Sequence, residues 1–185
     1  MDAAKIVSKI SKEHGIIKNV YFLACGGSLV DLYPGYYFVR AESAVMDAQW
    51  IPAREFALTP PKKLGKDSLL IICSHSGKTK ECLEAAKVGI NAGAAVVTMT
   101  HAPGSPCDCE EWISVVYDWA PGVKEAQKPQ GIVLGILNEL MKAQEPGYTL
   151  YSSIKEGFEK IDDIIAEAVK KQQNAAWLFA EKYSE

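Results

Sequence analysis

Three short runs, Val20–Leu23, Leu69–Cys73 and Ala95–Met99, are apolar almost without interruption. A strand covered on one face alternates apolar and polar residues, whereas a strand covered on both faces does not. Segments with helical spacing separate the three runs and are long enough to cross over. The chain is therefore predicted to be an α/β domain with a mainly parallel sheet between helical layers. In such a sheet ligands bind beyond the carboxyl ends of the strands.

The full reading alternates strand and helix. Helix Ala3–His14 leads to strand Asn19–Ala24, a Gly-Gly-Ser turn and a helical segment from Ser28 to Arg40. A short strand near Ala44–Asp47 and a short helix around Ile51–Phe56 follow. After a loop at Pro60–Lys63 come strand Ser68–Cys73, helix Lys78–Ala92, strand Ala94–Thr100, loop Ala102–Asp108 and strand Trp112–Tyr117. A loop over Pro121–Gln130 leads to an apolar helix, Gly131–Ala143. From Tyr148 onward Ile154, Phe158, Ile161, Ile164, Ile165, Ala168 and Val169 recur at helical spacing. Residues 1–147 are thus expected to form one domain. Residues 148–185 should form a long amphipathic helix, interrupted near Gly157, that packs on its own domain or docks on a second domain or subunit.

Composition narrows the partners. The 185 residues carry a net charge of −3, which argues against nucleic acid or an anionic membrane as the main partner. No apolar run approaches the roughly 18 residues of a membrane span. The amphipathic start lacks the apolar core of a signal peptide, so the cytoplasm is the expected compartment. Five cysteines, two of them (Cys25, Cys73) at strand ends, do not suggest a disulfide framework. Cys107-Asp108-Cys109 without a second pair is a poor metal motif.

The chemistry concentrates where strands end. Ser74-His75-Ser76-Gly77-Lys78-Thr79 passes from a buried strand through hydroxyl-bearing residues into a helix N-terminus. Free N–H groups and the positive dipole end favour an anion there. The hydroxyls of Ser74, Ser76 and Thr79 add donors suited to a phosphate monoester. Gly26-Gly27-Ser28 makes a similar turn after the first strand, open to close approach of a ligand. Neither is a nucleotide motif. The leading glycine of a P-loop would fall at Ile72, and no G-x-G-x-x-G occurs. His75 reads as a donor to ligand or backbone, and Lys78 as a solvated cation. His14 and His101 read as residues at a helix end and a strand end. Ser74 is no hydrolytic nucleophile, because G-x-S-x-G is absent.

Phe22–Ser28, Ile71–Thr79 with Glu81, and Val116–Trp119 together resemble the sugar isomerase (SIS) domain family. The likeness runs from about Ile16 to Ala143 and is strongest to the N-terminal half of fructosamine 6-phosphate deglycases. Those enzymes are related to the isomerase part of glucosamine-6-phosphate synthase. The resemblance implies a flavodoxin-like α/β/α sandwich of three layers with a five-stranded, mainly parallel sheet. It implies that Ser74, His75, Ser76 and Thr79 hold a sugar phosphate, that Gly26, Gly27 and Ser28 contact sugar or phosphate, and that Val123–Gln130 lies where relatives close over the sugar. The family's catalytic Glu and His belong to a second SIS domain. Their pseudo-equivalent places here are near Glu42 and Leu58, so no catalytic residue is assigned, and Glu55 matches a structural position. Neither metal nor organic cofactor is called for.

The expected function is sugar-phosphate binding as half of a deglycase that converts fructoselysine 6-phosphate or a similar substrate. A sugar-phosphate sensor without catalysis and a single-domain sugar-phosphate isomerase are the alternatives. The expected assembly is a homodimer, or a pairing with a chain that carries the second SIS domain.

Overall fold

The computed structural model describes residues 2–183, with side chains described as far as residue 173. Five parallel strands form the sheet: β1 (Asn19–Ala24), β2 (Asp47–Pro52), β3 (Ser68–Cys73), β4 (Ala95–Thr100) and β5 (Ile113–Val116), in the order β2-β1-β3-β4-β5. Every residue of β1, β3 and β4 is buried, as their apolar runs require. Alternate side chains enter two cores. Val20, Phe22, Leu69, Ile71, Cys73, Val97 and Met99 face one layer, whose helices are α1 (Ala3–His14), α3 (Tyr33–Glu42) and α6 (Pro129–Gln144). Tyr21, Leu23, Leu70, Ile72 and Val96 face the other, formed by α4 (Ala53–Leu58) and α5 (Lys80–Asn91). The fold is the expected three-layer α/β/α sandwich.

Several boundaries differ from the sequence reading, each for a local reason. The segment predicted as one helix over Ser28–Arg40 is two: α2 (Gly27–Asp31) ends at Leu32, and α3 starts afresh with Pro34 in its first turn. Proline has no N–H to continue the preceding helix and is tolerated at a helix start. Strand β2 begins at Asp47, where the short strand near Ala44–Asp47 was expected to end. Ala44 is instead held by a carboxylate, its N–H donating to Glu145 Oε2 over 2.9 Å, while Asn19 pairs with Asp47. The short helix shifts accordingly to Ala53–Leu58, behind Pro52. Helix α5 starts at Lys80, because Gly77 has a φ of +64°. Helix α6 starts at Pro129, and a 3-10 turn over Glu125–Gln127 lies inside the expected loop.

The last helix, α7 (Tyr151–Tyr183), passes through Gly157 without the expected break. Its first turns pack on the domain through Ile154. Ile164 and Val169 are exposed. Among the described residues no helix is long and apolar enough to cross a membrane.

Candidate functional site

Strand order decides where a ligand can sit. From β1 the chain runs outward to β2 on one side and to β3, β4 and β5 on the other, so the crossovers diverge between β1 and β3. That divergence opens a crevice at the carboxyl ends, the usual ligand position in open α/β sheets. Ala24 and Cys73 are register partners at the ends of these two strands. The turns that follow, Gly26–Ser28 and Ser74–Thr79, therefore lie side by side.

The second turn is built from its backbone. Ser74 N–H donates to Met99 O over 2.9 Å, and Gly77 N–H folds back to Ser74 O over 2.9 Å. The carbonyls of His75 and Gly77 accept from His101 N–H (3.2 Å) and Cys107 N–H (3.0 Å), which ties the turn to the loop after β4. Gly77 is obligatory. Its φ is left-handed, and a Cβ there would overlap Ser105 Oγ and lie 2.7 Å from Thr100 Oγ1. Helix α5 then begins behind Thr79 without a side-chain cap, so its first N–H groups and dipole face the turn.

The hydroxyls divide the work. Ser74 is only 2% exposed and donates to Thr79 Oγ1 over 2.9 Å, which leaves the Thr79 proton free to donate outward. Ser76 is exposed, and its Oγ accepts from Lys78 N–H at 3.3 Å. The Lys78 side chain is solvated, as read from the sequence. On the neighbouring turn Gly26 has a φ of +59° and precedes α2. Ser28 lies within hydrogen-bonding reach of the Cys73 thiol, which burial pushes up to about 12.

Beside the turn stands a ring cluster that the sequence reading had not assembled. His75 and His101 stack with centroids 4.9 Å apart and planes 17° apart. His75 Nδ1 is 3.0 Å from Tyr117 Oη, and His101 Nδ1 is 3.1 Å from Tyr117 O. Trp119 meets His75 edge-on at 5.8 Å, and Lys128 Nζ lies 5.9 Å from the Trp119 ring centre. His101, expected only as a strand-end residue, thus joins the site. Asp31 approaches from α2 and accepts from Gln130 Nε2 at 2.8 Å, while Gln130 Oε1 is buried without a protein partner. Burial raises the Asp31 carboxyl above its ordinary value, and the neighbouring His75 pulls it the other way. Gln130 and Lys128 come from the segment 123–130, which therefore borders the site.

Other candidates lie elsewhere. His14 Nδ1 contacts Lys66 O at 3.3 Å at the opposite end of the sheet, and Glu42 closes α3 near Tyr148 there. Glu55 is exposed on α4. Cys107 is buried under Ser74 and Cys109 is half-buried. Among the described residues no three His, Cys, Asp or Glu side chains are grouped to hold a metal.

No protein-family model matches the sequence. The chain is 32% identical over 167 residues to the fructosamine deglycase FrlB of Bacillus subtilis strain 168, covering 90% of the chain and 51% of that protein. It is 30% identical over 168 residues to a glutamine–fructose-6-phosphate aminotransferase (isomerizing) of Clostridium tetani, covering 88% of the chain and 27% of the relative. A crystal structure from Salmonella typhimurium LT2, assigned as a phosphosugar isomerase, superposes with a TM-score of 0.88 at 32% identity. That match covers the whole chain and 55% of the other. These likenesses support an SIS domain related to the N-terminal half of fructosamine deglycases. The chain spans about half the length of the FrlB relative.

Proposed function

We propose that the chain binds a sugar phosphate in the crevice between β1 and β3, as the phosphosugar-binding half of a fructosamine 6-phosphate deglycase. The phosphate would rest on the Ser76 and Thr79 hydroxyls and the first N–H groups of α5, with Ser74 bracing Thr79, while His75 donates to the phosphosugar from the side. Gly26, Gly27 and Ser28 would approach it from the β1 turn. What supports this most is the adjacency of the two turns at the point where the strand order diverges. Residues 1–147 form the binding domain in this reading. Residues 148–185 link it to a second SIS domain or a second copy, in the cytoplasm.

In the complete enzyme a proton moves between sugar C1 and C2, and hydrolysis then yields a hexose 6-phosphate and a free amino acid. The phosphate site supplies binding energy remote from the reacting carbons and so positions them. Isothermal titration with glucose 6-phosphate, fructose 6-phosphate and a glycated-lysine 6-phosphate tests the reading, with and without a chain carrying the second domain. Binding by this chain alone and amino-acid release only with the second chain are expected. No binding of any of the three overturns it.

The ring cluster favours a second reading, a single-domain sugar-phosphate isomerase. His75, His101 and the raised Asp31 carboxyl would then supply the acid–base groups. Interconversion of hexose 6-phosphates by the chain alone would select it.

A further inference from the structure

We infer that the stacked pair His75 and His101 recognises the hydroxyls of the sugar, with His75 as donor and His101 as acceptor. This rests on the phosphosugar reading and adds to it the group that distinguishes a sugar phosphate from phosphate alone.

The roles follow from the partners of each ring. A backbone carbonyl only accepts, so the 3.1 Å contact of His101 Nδ1 with Tyr117 O places the proton on Nδ1. In the neutral ring Nε2 is then an acceptor. The Tyr117 hydroxyl has two neighbours, His75 Nδ1 at 3.0 Å and Cys73 Sγ at 4.0 Å. A thiol is a weak acceptor and an imidazole nitrogen a strong one, so the phenol proton goes to His75 Nδ1. His75 then carries its own proton on Nε2.

Tyr117 is only 4% exposed and engages the Nδ1 edge of both rings, while both histidines are exposed. Their opposite edges therefore face outward as a donor beside an acceptor. One sugar hydroxyl can bridge the two, or two adjacent hydroxyls can take one each. The pair sits next to the Ser74–Thr79 turn because His101 N–H donates to His75 O, so a phosphosugar anchored on the turn lies within their reach.

The test uses the full chain with two probes, glucose 6-phosphate and inorganic phosphate. His101→Asn retains an amide donor for Tyr117 O but lacks the outward acceptor. His101→Gln retains a polar group at the Nε2 position. For His101→Asn, glucose 6-phosphate affinity should fall about tenfold, the loss of one hydrogen bond. Phosphate affinity should be unchanged, and His101→Gln should recover part of the loss. Equal glucose 6-phosphate affinity in His101→Asn and the parent, or an equal loss for both probes, overturns the inference. Failure of the parent itself to bind glucose 6-phosphate overturns the phosphosugar reading instead. Independently, long-range proton–nitrogen spectra of the imidazoles should show the neutral His101 ring protonated on Nδ1. Protonation on Nε2 there refutes the assigned roles.

Discussion

Gly77 concentrates the demands that the candidate site makes on single residues. Its left-handed φ permits the reversal after Ser74, and its missing side chain leaves room for Ser105 and Thr100. Gly77→Ala combines backbone strain with overlap, at a cost of about 1–3 kcal/mol, and also displaces the N–H groups that follow. Urea unfolding should register the loss in stability, and glucose 6-phosphate titration should show weakened or abolished binding. Ser76→Ala and Thr79→Ala act differently, since the Ser76 hydroxyl is exposed whereas Thr79 Oγ1 accepts from the buried Ser74 hydroxyl. Each should weaken glucose 6-phosphate binding by about 1 kcal/mol or more, with little change in unfolding midpoint for Ser76→Ala and a lowered midpoint for Thr79→Ala. Unchanged affinity in both variants would remove the phosphate from this turn. Ser74→Ala belongs to neither class, because the hydroxyl is buried and its loss leaves Thr79 Oγ1 without a donor.

Glycines within helices separate packing from propensity. Gly35 on α3 faces Phe22 of β1 and Val133 and Leu137 of α6, and a Cβ there would lie 3.0 Å from Phe22 Cε1 and overlap Val133. The helix propensity gained by alanine, about 1 kcal/mol, competes with overpacking of about 1–3 kcal/mol. Gly35→Ala is expected to lower the urea midpoint. Gly157 on α7 has nothing within 4 Å of its Cβ position and is exposed, so Gly157→Ala should increase helix content in far-ultraviolet circular dichroism. The same contrast explains which elements were legible in the sequence. Strands β1 and β3 were read to the residue because burial on both faces forces an unbroken apolar run. Edge strand β2, buried on neither side as a whole, carries no such run and was placed too early. The two turns were legible because hydroxyls and glycines behind a buried strand have few other uses. His101 was not. It lies 26 positions from His75 and carries no motif, and its place comes from the pairing of β3 with β4.

Three buried thiols lie beneath the two turns and give the whole molecule a pH signature. Burial pushes Cys73 up to about 12 and Cys107 up to about 11, and it raises Cys82 and the Tyr117 phenol in the same direction. In the unfolded chain a thiol titrates near 8.5, roughly. Between that value and the folded ones the folded state keeps protons that the unfolded state has released. More protons bound in the folded state means that stability falls as pH rises. Lys63, raised by its bond to Asp47, has the same sign, but it is exposed and contributes little. Asp47 and Asp108, both lowered by hydrogen bonds, act on the other limb, losing their small contribution as pH falls through the carboxylate range. The urea midpoint should therefore be flat around neutrality and decline steadily from about pH 8.5 upward. Cys73→Ala should unfold at lower urea near neutrality through lost packing, yet decline less steeply in alkali, because one titrating group has gone. An alkaline slope identical to the parent's would show that the thiols under the site are not its source.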